Sequence, residues 1–220
     1  MVRIAIDGPG GAGKSSVAKA VAAKLGIIYV DTGALYRTIG LFMLRKGIDL
    51  KDKHAIISKL GTFNLELKFT DGRQIILLDG IDVGDTIRTP EVSMAASSVS
   101  SICEVRDHLL SMQRDIAKNN SVIMDGRDIG TVILPDAEVK IFLTASSEAR
   151  AMRRYKELIA KGQSVTYEQV YNEMIERDRN DSTRDIAPCV PAADAILLDN
   201  SDLDFEGTVD AVLDIVKKHK

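Results

Sequence analysis

Cysteine and histidine are scarce in this sequence. The thiols are Cys103 and Cys189, and the three histidines are scattered, so nothing has the spacing of a metal site or outlines a disulfide framework. Long apolar runs are missing too: none approaches the length of a membrane span. The chain enters its first apolar segment at once, without the basic stretch and apolar core of a secretory leader. The expectation is a cytoplasmic protein, neither exported nor anchored, with both thiols reduced. There is no excess of positive charge. The formal net charge of -3 argues against a nucleic-acid coat or an anionic membrane surface as partner. Low-complexity linkers and internal repeats are also lacking. At 220 residues, 45 % hydrophobic and 28 % charged, the composition is that of an ordinary soluble globular protein. That length suffices for one sizeable core with an inserted subdomain.

What is present is concentrated near the start. Ile4 to Ser16 reads IAIDGPGGAGKSS, and Gly8, Gly13, Lys14 and Ser15 meet the G-x-x-x-x-G-K-[ST] spacing. Glycines let the backbone wrap so that several N–H groups face phosphate oxygens, and the helix that follows adds its positive end. Gly8, Pro9, Gly10, Gly11, Ala12, Gly13, Lys14, Ser15 and Ser16 are therefore the candidate triphosphate cradle. In it Lys14 sits on the β- and γ-phosphates, and the Ser15 hydroxyl ligates the Mg²⁺ that bridges them. A flexible Gly-rich turn explains the glycines alone; strand, loop, Lys-Ser and helix in that order need more.

Strands and helices alternate along most of the chain. Residues 2 to 7 read as a buried strand; Val17, Ala18, Val21, Ala22 and Leu25 recur at helical spacing, and Gly26 closes that helix. Ile27 to Val30 forms a second strand that delivers Asp31, Thr32 and Gly33 to its carboxyl end, where ligands gather in open α/β sheets. Asp31 and Thr32 also suit a helix N-cap, a role that leaves Tyr36 and Arg37 unexplained. From Thr62 to Val83 the pattern turns alternating. Leu65, Leu67 and Phe69, a turn at Thr70-Asp71-Gly72-Arg73, and Gln74 to Leu78 read as a hairpin within an inserted antiparallel subdomain. Helices follow at Glu91–Ile102 and at Val105–Lys118. Ser121 to Met124 is a third core strand running into Asp125-Gly126-Arg127-Asp128, like a Walker B element whose adjoining arginine leaves a simple metal role ambiguous. Val139 to Ala145 and Ala195 to Leu198 complete five strands, and Glu206 to Lys218 closes the chain as a helix. The result is a parallel, helix-covered sheet.

Arginines are the other concentrated feature. Arg150, Arg153 and Arg154 lie at i, i+3 and i+4 on one helix, either a solvated face or a mobile lid that clamps triphosphate. A further helix over Tyr167–Asp178 turns Val170, Met174 and Ile175 inward; if it continues, Arg177, Asp181 and Arg184 share a stripe, which surface ion pairs would also produce. With Arg37 and Arg127, these exceed what one triphosphate needs. Such a surplus suits two phosphate groups brought together, with planar donors neutralising their repulsion. No Asn-Lys-x-Asp stretch for guanine is present, and no Ser-His-Asp or paired-carboxylate set is evident.

The combination IDGPGGAGKSS, VDTGALYR, MDGRDIGT, ERDRNDSTR and VPAADA resembles the long-type bacterial cytidylate kinases, of the nucleoside monophosphate (NMP) kinase family of P-loop kinases, along essentially the whole chain. Asp125-Gly126-Arg127-Asp128 and the insertion after Thr62 carry it furthest. The resemblance implies a three-layer P-loop NTPase fold with a five-stranded parallel sheet, an NMP-binding insertion (about 61–102), a helical lid (about 149–184) and a core of about 1–60, 103–148 and 185–220. It implies transfer of the γ-phosphoryl group of ATP to CMP or dCMP with Mg²⁺. Ser97, Arg106 and Asp128 would meet the cytosine, Arg177 and Asp181 the sugar, and Thr32, Arg37, Arg127 and Arg184 the acceptor phosphate, with Tyr36 beside them. Lys14, Arg127 and Arg184 would serve transfer itself. Thr32 stands where many relatives have Ser, and Ser15-Ser16 where Gly-Thr or Ser-Thr also occurs; both keep the hydroxyls. The chemistry of cytosine agrees with this: its N4 amino group donates beside the N3 acceptor, so a reader pairs a carboxylate acceptor with a cationic or hydroxyl donor, and Asp128 and Arg106 supply that pair. A closing lid and an inserted subdomain need no second subunit, so a monomer is expected.

Overall fold

The computed structural model describes residues 1–70 and 72–219. In chain order its elements are β1 (Arg3–Asp7), α1 (Lys14–Leu25), β2 (Ile28–Asp31), α2 (Thr32–Arg45), α3 (Lys53–Lys59), β3 (Leu65–Thr70), β4 (Arg73–Leu78) and β5 (Ile81–Asp82). There follow α4 (Pro90–Ser100), α5 (Cys103–Asn119), β6 (Val122–Asp125), β7 (Val139–Thr144), α6 (Ser147–Ala160), α7 (Tyr167–Thr183), β8 (Ile196–Asp199) and α8 (Phe205–His219). The main sheet is parallel throughout, in the order β2-β6-β1-β7-β8, and β3-β4-β5 form a separate antiparallel sheet. The five-strand core and the inserted antiparallel unit are thus as the strand pattern predicts, with strand limits moved by a residue. In the expected hairpin turn Thr70 pairs with Arg73, and Asp71 lies outside the described residues.

The period-two placement of side chains gives each face of the sheet its own core. Ile4 and Ile6 of β1 join Val17 and Val21 of α1 and Val209, Val212 and Val216 of α8 on one face. Ala5 joins Val30, Val122, Met124, Ile129 and Ile133 on the other. A third cluster unites α2, the inserted sheet, α4 and α5. Because both faces are covered, the strands read as near-continuous apolar runs.

Three features depart from the periodicity. Residues 53–59 form α3, which the sequence pattern leaves unassigned, and Ile129–Ile133 forms a single π-turn after β6. On α7, Val170 and Met174 face inward but Ile175 is exposed. The inward stripe continues from Met174 at i+4 and i+7 to Asp178 and Asp181, so polar side chains take the place expected of the apolar one. Arg184 does not extend that stripe, because α7 ends at Thr183 and Arg184 is extended, φ -68 and ψ 145.

Two contacts set the site's frame. A Cβ built on Gly40 of α2 would lie 3.0 Å from the Ala95 Cβ and from the Ala96 nitrogen, so hydrogen at this position lets α2 and α4 cross in contact. The buried Asp7 carboxylate accepts from Ile129 N–H and Gly130 N–H, each at 2.7 Å, and pins the π-turn to the end of β1. Burial pushes the Asp7 carboxyl up to about 6, against the pull of these two donors.

Overpacking predicts that Gly40→Val lowers the unfolding free energy in urea by about 1–3 kcal/mol. For Asp7, a raised pKa means that its contribution to stability is fully present below about pH 4 and is lost as pH rises through about 6. Between pH 4 and 6.5 the stability of the wild type relative to Asp7→Asn therefore falls by up to about 3 kcal/mol in urea unfolding series. A difference that stays constant with pH would exclude this.

Candidate active site

The Gly-rich loop joins β1 to α1 at the carboxyl end of the sheet. Gly8 holds φ at 142°, and a Cβ there would fall 2.0 Å from the Leu143 carbonyl oxygen of β7, so no other residue fits. Three of the loop's carbonyls are bound by side-chain donors: Lys14 Nζ donates to Pro9 O (2.6 Å), Arg150 Nη1 to Gly10 O (3.0 Å) and Asn200 Nδ2 to Ala12 O (3.0 Å). With carbonyls held by these donors, the loop's N–H groups and the α1 N-terminus are the polar groups available to an anion. The Ser15 hydroxyl donates to Asp125 Oδ2 at 2.7 Å, and Tyr29 donates to Oδ1 at 2.8 Å. Burial raises the Asp125 carboxyl above the usual range, helped by the nearby Asp31 charge. Burial, then the Arg127 guanidinium, pushes Lys14 down to about 7. A phosphate oxygen acts the other way, favouring the charged ammonium.

Beside the loop stands a group of arginines held by aspartates. Asp31 caps α2 by accepting from Ala34 N–H (2.9 Å) and accepts from Arg37 Nη2 at 2.8 Å. Arg127, whose Nη2 lies 3.8 Å from where a Gly10 Cβ would be, donates through Nε to Asp181 Oδ2 at 3.0 Å. Arg177 reaches the same oxygen only at 3.9 Å, and its Nε, like that of Arg37, is buried without a hydrogen-bond partner. Burial works against charge on Arg127, but Asp181, with smaller help from Cys189 and Asp125, more than offsets it, whereas burial and the Arg127 charge push Arg177 down to about 10. Asp181 in turn is held below the usual carboxylate range: burial opposes ionisation, and Arg127 and Arg177 outweigh it. Two buried guanidinium donors without acceptors, in a group already short of negative charge, fit an incoming oxygen-rich anionic ligand.

Next to this group Arg106 and Asp128 form a buried ion pair, with the Arg106 guanidinium 5.4 Å from the centre of the Tyr36 ring. Burial pushes the Tyr36 phenol up to about 12. Arg184 donates to Ala187 O (2.8 Å) and to Ser100 Oγ (3.1 Å); burial lowers it, and Arg106 adds to that effect.

The arginines expected on one face of α6 take three directions. Arg150 is buried against the loop and paired with Asp178 at 2.5 Å; Arg153 donates twice to Asn200; Arg154 pairs with Glu157 on the solvent side. Thr32 donates to the Asp125 carbonyl at 2.8 Å, joining the two strand ends. Ser97 contributes a carbonyl that accepts from Ser100, and Ser100, not singled out by the sequence, is the hydroxyl that meets Arg184. Asn200 lies in no motif, and Asp7 and Asp178, though they fall inside the motif stretches, were not singled out there. Each acts on a residue far off in the chain, and only the polar break in an apolar stripe hints at Asp178. Among the described residues, no group of three or more His, Cys, Asp or Glu side chains is placed to hold a metal ion, and no helix is long and apolar enough to cross a membrane.

Comparison with known proteins shows the family. The family model described as cytidylate kinase matches residues 4–218. The chain is 51 % identical to the cytidylate kinase of Caldicellulosiruptor bescii, over 99 % of this chain and 96 % of that protein. It is 50 % identical to that of Thermosipho melanesiensis, over 98 % and 97 %. Among solved structures, a shikimate kinase from Bacteroides thetaiotaomicron superposes with a TM-score of 0.50 at 13 % identity, covering 98 % of both chains, a likeness of fold alone. With a family match across nearly its whole length and relatives half identical end to end, the chain belongs to the cytidylate kinase family.

Proposed function

We propose that this chain is an ATP-dependent cytidylate kinase, transferring the γ-phosphoryl group of ATP to CMP or dCMP to give ADP and CDP or dCDP. The observation that carries this is the buried Arg106–Asp128 pair beside the arginine group that adjoins the Gly-rich loop. Cytosine presents an N4 donor beside an N3 acceptor, and this pair offers a carboxylate acceptor beside a guanidinium donor. Uracil would leave the carboxylate facing a carbonyl, an unpaired buried contact that disfavours the wrong base.

In this reading residues 8–16 cradle the ATP phosphates, with Arg150 behind the loop and Arg153 and Arg154 on the lid helix. Thr32, Tyr36, Arg37, Arg127 and Arg184 hold the acceptor phosphate, Arg177 and Asp181 the sugar, and Ser97 with Arg106 and Asp128 the base. Transfer forms a bond from an acceptor phosphate oxygen to the γ-phosphorus as the bond to ADP breaks, so the protein's part is positioning and charge stabilisation by Lys14, Arg127 and Arg184. The oxygen donors Ser15 Oγ and Asp125 suit a hard cation, the Ser15 hydroxyl directly and the carboxylate beside it. Mg²⁺ bound there neutralises phosphate charge. Residues 61–102 act as the NMP-binding insertion and 149–184 as a lid that excludes water; the enzyme works as a cytoplasmic monomer on nucleotides alone, with no nucleic-acid or membrane partner.

A panel of nucleoside monophosphates in one coupled ADP assay tests the assignment: CMP and dCMP turn over fastest, and a preference for AMP or UMP would overturn it. Asp128→Ala lowers kcat/KM for CMP by about 100-fold, the effect of an unpaired buried charge of about 3 kcal/mol, with KM for ATP little changed. Lys14→Ala abolishes transfer while circular dichroism stays that of the folded protein.

A further inference from the structure

On β4 the residues that face α2 are Gln74, Ile76 and Leu78, at i, i+2 and i+4. Ile76 and Leu78 are buried in the core that unites α2 with the inserted sheet, and Gln74 breaks this apolar row. Its side-chain amide makes two hydrogen bonds, both to the backbone of one residue. Gln74 Oε1 accepts from Asp31 N–H at 2.7 Å, and Gln74 Nε2 donates to Asp31 O at 3.2 Å. β2 is the edge strand of the main sheet, so Asp31 has backbone groups free of the ladder there, and the Gln74 amide takes the place of a neighbouring strand's peptide.

The residue so held is one whose side chain is fully employed. One Asp31 oxygen caps α2 and the other holds Arg37, whose own Nε has no partner within the protein. Arg37 thus depends on Asp31 for its orientation, and Asp31 is clamped from the inserted sheet. We propose that Gln74 is a positioning residue for the acceptor nucleotide, coupling the inserted sheet to Arg37 through Asp31. The proposal rests on the reading of Arg37 as a ligand of the acceptor phosphate. It makes docking of the insertion and orientation of a phosphate-binding guanidinium one event, because the amide bridges parts of the chain 43 residues apart.

The test is steady-state kinetics on the full chain with ATP and CMP. Gln74→Met keeps the side chain's length and removes both hydrogen bonds. It raises KM for CMP about tenfold, the scale of one to two hydrogen bonds, and leaves kcat and KM for ATP within about twofold. Gln74→Glu, which keeps an acceptor and loses the donor, raises KM for CMP as well, and urea unfolding confirms that both variants are folded. In an Arg37→Met background Gln74→Met adds less than about twofold, since the two act in one chain of contacts. An unchanged KM for CMP, equal losses for both nucleotides, or fully additive effects with Arg37→Met would overturn the proposal. Wild-type turnover of CMP is the separate control: its failure overturns the acceptor assignment, whereas a normal Gln74 variant beside an active wild type overturns only the role of Gln74.

Discussion

Three neighbouring strands of the main sheet, β2, β6 and β1, each end on a buried aspartate: Asp31, Asp125 and Asp7, at 7 %, 4 % and 4 % exposure. A carboxylate so far from water is tolerable only with its oxygens occupied by donors. Each of these is, and each set of donors belongs to a different part of the site. Asp7 holds the backbone at Ile129 and Gly130, Asp31 holds the α2 N-terminus and Arg37, and Asp125 holds Ser15 and Tyr29. The need to satisfy these carboxylates thereby positions the turn after β6, Arg37 and the first turn of α1 relative to one another.

Around this frame the charge balance is deliberately incomplete. Asp181 is the main counter-charge for Arg127 and lies only at the edge of reach for Arg177, whose Nε has no partner and whose pKa is lowered by burial first and by the Arg127 charge second. Lys14 feels the same two effects from the loop side. Guanidinium groups close together are held apart by repulsion until anions arrive, and two phosphates brought to transfer distance repel each other likewise. Each excess relieves the other, which is the electrostatic logic of phosphoryl transfer without covalent help from the protein.

The inserted sheet is attached by different means at different points. Apolar burial of Ile76 and Leu78 against α2 gives it adhesion without much direction, and the close approach at Gly40 allows α4 to lie on the same helix. Direction comes from polar contacts of defined geometry, the Gln74 amide on Asp31 and the Arg184 bond to Ser100. Both polar contacts join residues of the segment 61–102 to residues outside it, Asp31 and Arg184, and so fix its orientation on the rest of the chain.

The loop from Gly8 to Ser16 was legible because a Gly-rich turn between a strand and a helix is built from contiguous residues, and the same holds for the Asp31 cap on Ala34; the Asp125–Asp128 stretch was legible only as residue types, since its partners Ser15, Tyr29, Arg106 and Asp181 lie 22 to 110 residues away. Apolar periodicity likewise determined the five core strands and the hairpin. It misplaced Ile175 because the stripe on α7 turns polar where it meets Arg150 and Arg127, and it could not sort Arg150, Arg153 and Arg154, which share a helix face but meet different partners. Gln74, Ser100 and Asn200 carry no motif, and the loop motif that contains Asp7 does not show its partner: Asp31, Arg184, Ala12 and Ile129, which these four meet, lie 43 to 188 residues away. The sequence by itself thus determined which elements form and where the Gly-rich loop and the helix caps lie, since those depend on backbone conformation and spacing. Only the tertiary structure decided which carboxylate holds which arginine, because that pairing is set by the cost of leaving a buried charge or donor unpaired once distant segments have met.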